Sequence, residues 1–251
     1  EIVETPDGDI VAWDWSTPEP ADLNAPVLVH FHGLEGGSDS HYAEALMAKC
    51  AELGWRGLVA HFRSCGGLMN RKPRAYFAGD TADNSWVLHT VKARFPNAKL
   101  YAVGVSLGGN QLTKCLGELG SEAIGLVEGA VSICAPIDLV AGSERRGKGV
   151  NALFAEMVLK TIQRKLEDKA RQYPDLFDLK KAQACRTMYD FDDIYTAPVH
   201  GFSSAMEYWQ KCSAKQYLPG VRVPLLLLNA KNDPFLPAWV LPTAAEMSSS
   251  V

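Results

Sequence analysis

The sequence predicts an α/β protein built on a mostly parallel central sheet flanked by helices. Three observations carry that expectation. Short apolar runs alternate with longer helical stretches; most of the runs are continuous rather than alternating; and one long helical segment interrupts the rhythm. Continuous apolar runs suit strands covered on both faces, as parallel sheets are under their crossover helices.

Taken in order, IVAWDW (10–15) alternates apolar with polar and reads as an edge strand. PVLVHFH (26–32) and GLVAHF (57–62) read as buried strands, and KLYAVGV (99–105), GLVEGAVSICA (125–135) and VPLLLLNA (223–230) continue the series. Residues 41–53, 80–95 and 107–118 read as the helices between them. No repeat or low-complexity segment occurs. From about Ile137 to Gly220 no strong strand appears. There Leu153, Phe154, Met157, Val158, Ile162 and Leu166 form an apolar stripe at helical spacing, with Lys160, Arg164 and Lys165 among the polar positions. Strand pattern resumes at Pro224, so the expected organisation is a core in two parts, 1–136 and 221–251, with a helical cap inserted at 137–220. Caps of this kind cover pockets and select substrates.

Composition narrows the function. The chain of 251 residues carries 25 Lys and Arg against 29 Asp and Glu, a net charge of -4, which gives no electrostatic case for nucleic acid. No apolar run reaches the ~18 residues of a membrane span, and membrane contact has no other support. The opening EIVETPDGD lacks the basic and apolar regions of a signal peptide. Six cysteines, at 50, 65, 115, 134, 185 and 212, show no CxxC pairing or metal spacing and suit reduced thiols. These features lead to the expectation of a cytoplasmic protein.

The chemistry is expected at AVGVSLGGN (102–110). Gly104-x-Ser106-x-Gly108 lies between a predicted strand and a predicted helix, the setting in which a serine between glycines becomes a nucleophile. The serine must stand on a tight turn, so its neighbours two residues away must lack bulk. The helix N-terminus beneath it favours developing negative charge. HFHGLEGG (30–37), after an early central strand, is the expected source of one oxyanion amide, at Leu34. The residue after the serine, Leu107, supplies the other. On the late loop NAKNDPFLP, Asp233 is placed where a triad acid must reach across to the serine; Asp138, in CAPIDL after the preceding strand, is the alternative.

Several stretches together resemble the bacterial YheT-type esterases of the alpha/beta-hydrolase superfamily, which have plant embryogenesis-associated and animal membrane-anchored relatives. These are FHGLEGG, GW.G.V.HFR.C.G, Y..G.T.D..W.L, VG.SLGGN, FDD..TA..HGF..A..YW..CSA and AKNDPF. The resemblance runs over nearly the whole chain. It implies an alpha/beta-hydrolase fold and a serine–histidine–aspartate triad with Ser106 as nucleophile and Asp233 as acid. It also implies hydrolysis of small-molecule carboxylic esters, acyl or lipid-like, with phospholipase activity in some relatives and no metal or organic cofactor. An acyltransferase on the same serine, or a binding module without a base, are the rival expectations.

The triad order in this fold is serine, acid, histidine, yet no histidine follows Asp233. All six, at 30, 32, 41, 61, 89 and 200, precede it. His32 is expected to order the oxyanion loop, His61 to shape a neighbouring loop, His41 and His89 to face solvent or pack, and His200 to lie in the cap, where it could approach the pocket. The resemblance implies a further C-terminal strand, a loop bearing the histidine and a final helix, so the triad histidine is expected to be absent from these residues. Among the remaining motifs, Cys65 in FRSCGG reads as a structural loop cysteine. Glu35 reads as either a ligand of the oxyanion loop or a solvated carboxylate. ERRGKG (144–149) reads as a solvated loop, with anion attraction the lesser alternative. Gly104–Gly109 lacks the Lys-Ser/Thr of a phosphate loop.

Overall fold

Seven strands form one sheet in the order β1-β2-β4-β3-β5-β6-β7 in the computed structural model, which describes residues 1–146 and 150–251. The strands are β1 (Ile2–Glu4), β2 (Ile10–Trp15), β3 (Val27–Phe31), β4 (Arg56–Ala60), β5 (Leu100–Val105), β6 (Gly129–Ile133) and β7 (Leu225–Leu228). From β4 to β7 every pairing is parallel, whereas β1 and β2 join antiparallel. All five residues of β3 and of β4 are buried, which explains their unbroken apolar runs.

One expectation fails here. The strand 10–15 is not at the edge, because Ile2, Val3 and Glu4 pair outside it with Ala12, Val11 and Ile10. Its alternation comes from one-sided burial, with Val11 and Trp13 turned into the core. The three-residue β1 is too short to show a period in sequence.

Helices α1 (His41–Glu52), α2 (Thr81–Arg94) and α3 (Leu107–Leu119) link the central strands. The chain leaves β3 toward β4 on one side and returns to β5 on the other, so β3 and β5 flank the point where the winding reverses. Ligands of open α/β sheets bind at the carboxyl ends of strands at such a point. Register brings Phe31 beside Gly104, so the loop after β3 and the turn after β5 emerge side by side.

The stretch between β6 and β7 is helical. It contains α4 (Leu139–Arg146), α5 (Val150–Gln172) and α6 (Leu179–Ala184), then a broken helix over 188–199 with a π-type turn at Asp192–Thr196. Leu159, Leu166, Ala182, Phe191 and Tyr195 make a separate hydrophobic cluster, while Tyr208, Trp209, Cys212 and Leu218 belong to the main core. The apolar stripe of α5 is corrected by one residue. Met157 is exposed and Leu159 is buried, while Val158 and Leu166 face inward as expected. Leu153, Phe154 and the 144–149 stretch lie outside the residues whose side chains are described.

Candidate active site

Ser106 connects β5 to α3 with φ 53 and ψ -117, backbone values an L side chain adopts only under constraint. The constraint is visible. A methyl group at Gly104 would run into the Gly108 carbonyl, and one at Gly108 would run into the carbonyls of Phe31 and His32. Without side chains at these positions α3 descends directly onto the ends of β3 and β5. The turn is pinned by Ser106 N–H donating to Ile133 O (2.8 Å) and Asn110 N–H donating to Ser106 O (3.1 Å). Buried Asn110 locks the first turn of α3 to two distant segments: its amide donates to Ala78 O and Cys212 O, both at 2.9 Å, and its Oδ1 accepts from Ala214 N.

Beside Ser106 runs the loop after β3. Most of its amides are occupied: Gly33 N–H donates to Tyr42 Oη, Glu35 N–H to Tyr76 Oη, Gly36 N–H to Gly33 O and Gly37 N–H to Ser40 Oγ. Among the described residues the Leu34 N–H has no acceptor. Leu107, as the first residue of α3, likewise begins the turn whose amides have no intrahelical partner.

His32 orders this loop, as expected. Nδ1 donates to Gly33 O (2.7 Å) and Nε2 accepts from Phe62 N–H (3.1 Å), which fixes one neutral tautomer. Burial outweighs the Gly33 bond and holds its pKa down to about 3; His30, bonded to Val103 O, is likewise held to about 4. Glu35 is a ligand of the loop rather than a solvated carboxylate. Tyr76 Oη donates to its Oε1 (2.7 Å), and Lys165 Nζ of α5 lies 2.8 Å from its Oε2. Burial first, then the nearby Cys65 and Glu35 sites, push the Tyr76 phenol upward, so it stays a donor.

Two cavities meet at the serine. The smaller, of about 120 Å³, is apolar and runs under the helical segment past Leu34, Phe77, Ile162 and Tyr195. The larger, of about 340 Å³, is lined by Ser106, Leu34, Tyr42, Met188 and Asp233. Asp233 is buried, and its Oδ1 accepts from the N–H groups of Phe235 (2.7 Å) and Leu236 (3.1 Å). Asp138 lines neither cavity; it accepts from Ala141 N–H (3.0 Å) at the start of α4.

Among the described residues no histidine lines either cavity. His61 pairs with Asp14 (2.8 Å), His89 bonds Ser85 O, and His41 is exposed. His200 does not approach the serine; its two ring nitrogens face Thr196 O and Ala75 O. Cys65 is buried, with burial pushing its thiol up to about 12, as suits a structural cysteine. All six cysteines are free, although Cys134 is exposed.

The sequence profile of the alpha/beta hydrolase fold matches residues 26–247. The chain belongs to the alpha/beta hydrolase family. It is 37% identical to YheT of Escherichia coli over 99% of its own length and 73% of that protein's. To the embryogenesis-associated protein EMB8 of Picea glauca it is 31% identical, covering 96% of this chain and 55% of the relative. It therefore spans between about half and three quarters of the length of these relatives. Among solved structures, the esterase Pf2001 of Pyrococcus furiosus superposes with a TM-score of 0.58 over 95% of this chain and 73% of its own, at 16% identity, a likeness of fold. Family membership supports ester hydrolysis in general.

Three residues around the candidate site carry no local sequence signal. Tyr42 and Tyr76 supply the hydroxyls that occupy the loop amides around Leu34, and Lys165 reaches the same loop from α5. The Tyr76 and Lys165 contacts join segments far apart in the chain, and the Tyr42 contact returns from the first turn of α1, so neither motif nor periodicity reveals them. Deeper under α5, buried Lys169 donates to Asn70 Oδ1 (2.9 Å) and Lys72 O (2.7 Å), and burial lowers its pKa to about 8. Among the described residues no group of His, Cys, Asp and Glu is arranged to hold a metal, and no helix is long and apolar enough to cross a membrane.

Proposed function

We propose that this protein cleaves carboxylic esters through an acyl-enzyme on Ser106. The observation that carries the reading is the convergence of Ser106, the Leu34 loop with its unoccupied amide, and the Asp233 carboxylate on one cavity. Ser106 Oγ attacks the ester carbonyl carbon as its proton passes to a base. The tetrahedral oxyanion accepts from the Leu34 and Leu107 amides, donors whose loss typically costs roughly 3–4 kcal/mol. Collapse expels the alcohol with that proton, and water then attacks the acyl carbonyl and regenerates the serine. Asp233 acts through the base, holding an imidazole in the right tautomer. Residues 137–220 act as a cap whose apolar underside receives the acyl chain.

Serine at its ordinary pKa needs an adjacent base, and among the described residues none of the six histidines lines either cavity at Ser106. On this reading the base is none of the six, and this stretch by itself should turn over p-nitrophenyl esters only at the residual rate left by oxyanion and binding contributions. Ordinary esterase turnover by these residues alone would return the role to one of the six. On the full natural chain, a fluorophosphonate probe should label Ser106, and Ser106→Ala should abolish labelling and hydrolysis together. Labelling that survives Ser106→Ala would reject the assignment.

A further inference from the structure

Glu35, next to Leu34, takes φ 57 although it is not a glycine. Glycines at 33, 36 and 37 surround it, and a glycine at 35 would adopt this conformation without strain. What glutamate adds is a carboxylate, 7% exposed, that joins three distant segments. One oxygen accepts from Tyr76 Oη at 2.7 Å, and the same hydroxyl accepts the Glu35 N–H at 3.0 Å. The other oxygen faces Lys165 Nζ at 2.8 Å, and that ammonium also reaches Cys65 Sγ at 3.6 Å. Tyr76 stacks on Phe62 (5.3 Å) and Phe62 packs on His32 (4.2 Å), so the array is continuous with the end of β3.

Lys165 belongs to α5, not to the sheet. Without it, a buried carboxylate would lose its only opposite charge among the described residues, a change far costlier than losing an exposed pair. The loop has somewhere to relieve that cost. Glu35 and Lys165 also line an open polar cleft of about 640 Å³, bounded by Gly36, Gly37, Ser64 and Gly66. Turning the carboxylate into this cleft breaks its bond to Tyr76 Oη, the hydroxyl that also holds the Glu35 N–H beside Leu34.

We propose that Lys165 is a positioning residue that, through Glu35 and Tyr76, aims the Leu34 amide at the oxyanion, so that the hole is assembled only while α5 is seated over the site. This inference rests on the assignment of Leu34 as an oxyanion donor. It makes the helical segment part of the catalytic geometry as well as a cover.

The test uses the full natural chain, with p-nitrophenyl butyrate as substrate and a phenylboronic acid as the tetrahedral probe. Lys165→Met and Glu35→Gln should each lower kcat by roughly 10- to 100-fold, leave KM within about two-fold and weaken boronate binding in parallel. The double variant should be no slower than the slower single one, and Lys165→Arg should restore most of kcat. Should either single variant fail to fold, Tyr76→Phe, which keeps the ring stacking, carries the same expectation. Unchanged kcat in the variants, multiplying losses, or losses confined to KM would overturn the proposal. Ser106→Ala separates the two levels. If it remains active, the serine reading falls and this inference with it; if it is inactive while Lys165→Met is unimpaired, only the positioning role falls.

Discussion

Ser106 follows β5, which has strands on both sides, whereas Asp233 lies on the loop after β7. The serine side is determined by backbone sterics within the turn, Gly104 against Gly108, and by contacts over long sequence distances, Gly108 against Phe31 and His32 and the Asn110 amide bonded to Ala78 and Cys212. The acid side is determined locally, by the amides of Phe235 and Leu236 just beyond Asp233. One half of the candidate site is thus held by contacts between distant segments; the other is held by bonds within its own loop.

The largest expected effect tests whether the locally held side is nonetheless essential. Asp233→Asn should lower kcat by about 10⁴-fold with the fold intact, because the amide cannot hold the base in its tautomer. Asp138→Ala should leave kcat within a few-fold and cost about 1 kcal/mol of stability, the usual price of an N-cap. Steady-state kinetics and urea unfolding of the two variants decide it. Equal kinetic losses, or the reverse order, would move the acid to Asp138.

A second experiment sharpens the contrast in packing. Within an ordinary helix Gly→Ala gains up to about 1 kcal/mol. At Gly108 the added methyl meets two β3-end carbonyls that cannot move aside, so Gly108→Ala should destabilise by about 3 kcal/mol or more. Leu23→Ser, at a position 79% exposed before β3, should change stability by less than about 0.5 kcal/mol. Chemical denaturation midpoints measure both. A harmless Gly108→Ala would mean that the glycine spacing is not what shapes the turn.

The same contrast explains what could be read without coordinates. The Ser106 turn was legible because its steric demand falls on residues two apart, a short and restrictive pattern. The strands β3 and β4 were legible because burial on both faces leaves almost no polar positions, His30 and Arg56 being the exceptions. β1 was not, since three residues carry no period; the inward face of α5 was misjudged at Met157 because a helical stripe fixes a face only to within a residue. Tyr42, Tyr76 and Lys165 were invisible for a different reason. Their roles are side-chain contacts to the loop after β3, from nine residues away for Tyr42 and from distant segments for Tyr76 and Lys165, and nothing in the local sequence of any of them records the partner. Glu35 was only half legible: its place in the loop could be read, but whether its carboxylate met solvent or Lys165 depended on where α5 lies.

The smallest effect concerns pH, and it too should separate the two sides. His32 and His30 sit at the serine-side strand end with folded pKa values of about 3 and about 4, against an ordinary 6.5. Between those values the unfolded chain binds more protons than the folded one, so stability rises with pH across the window and is lost as pH falls below about 6.5. For His32 alone the loss on going from pH 7 to pH 5 is about 2 kcal/mol. Urea unfolding at pH 7 and pH 5 should show this dependence, and His32→Asn, which has no group titrating there, should remove about half of what the two histidines contribute, His30 supplying the rest. Hydrogen exchange at pH 5 should accelerate first at the Gly33–Gly37 amides, which hang from the His32 bond to Gly33, and only later at Phe235 and Leu236, whose acceptor lies on their own loop. Uniform acceleration over both loops would show that the two sides open as one unit, and that the embedded and the local half of the site are not mechanically distinct.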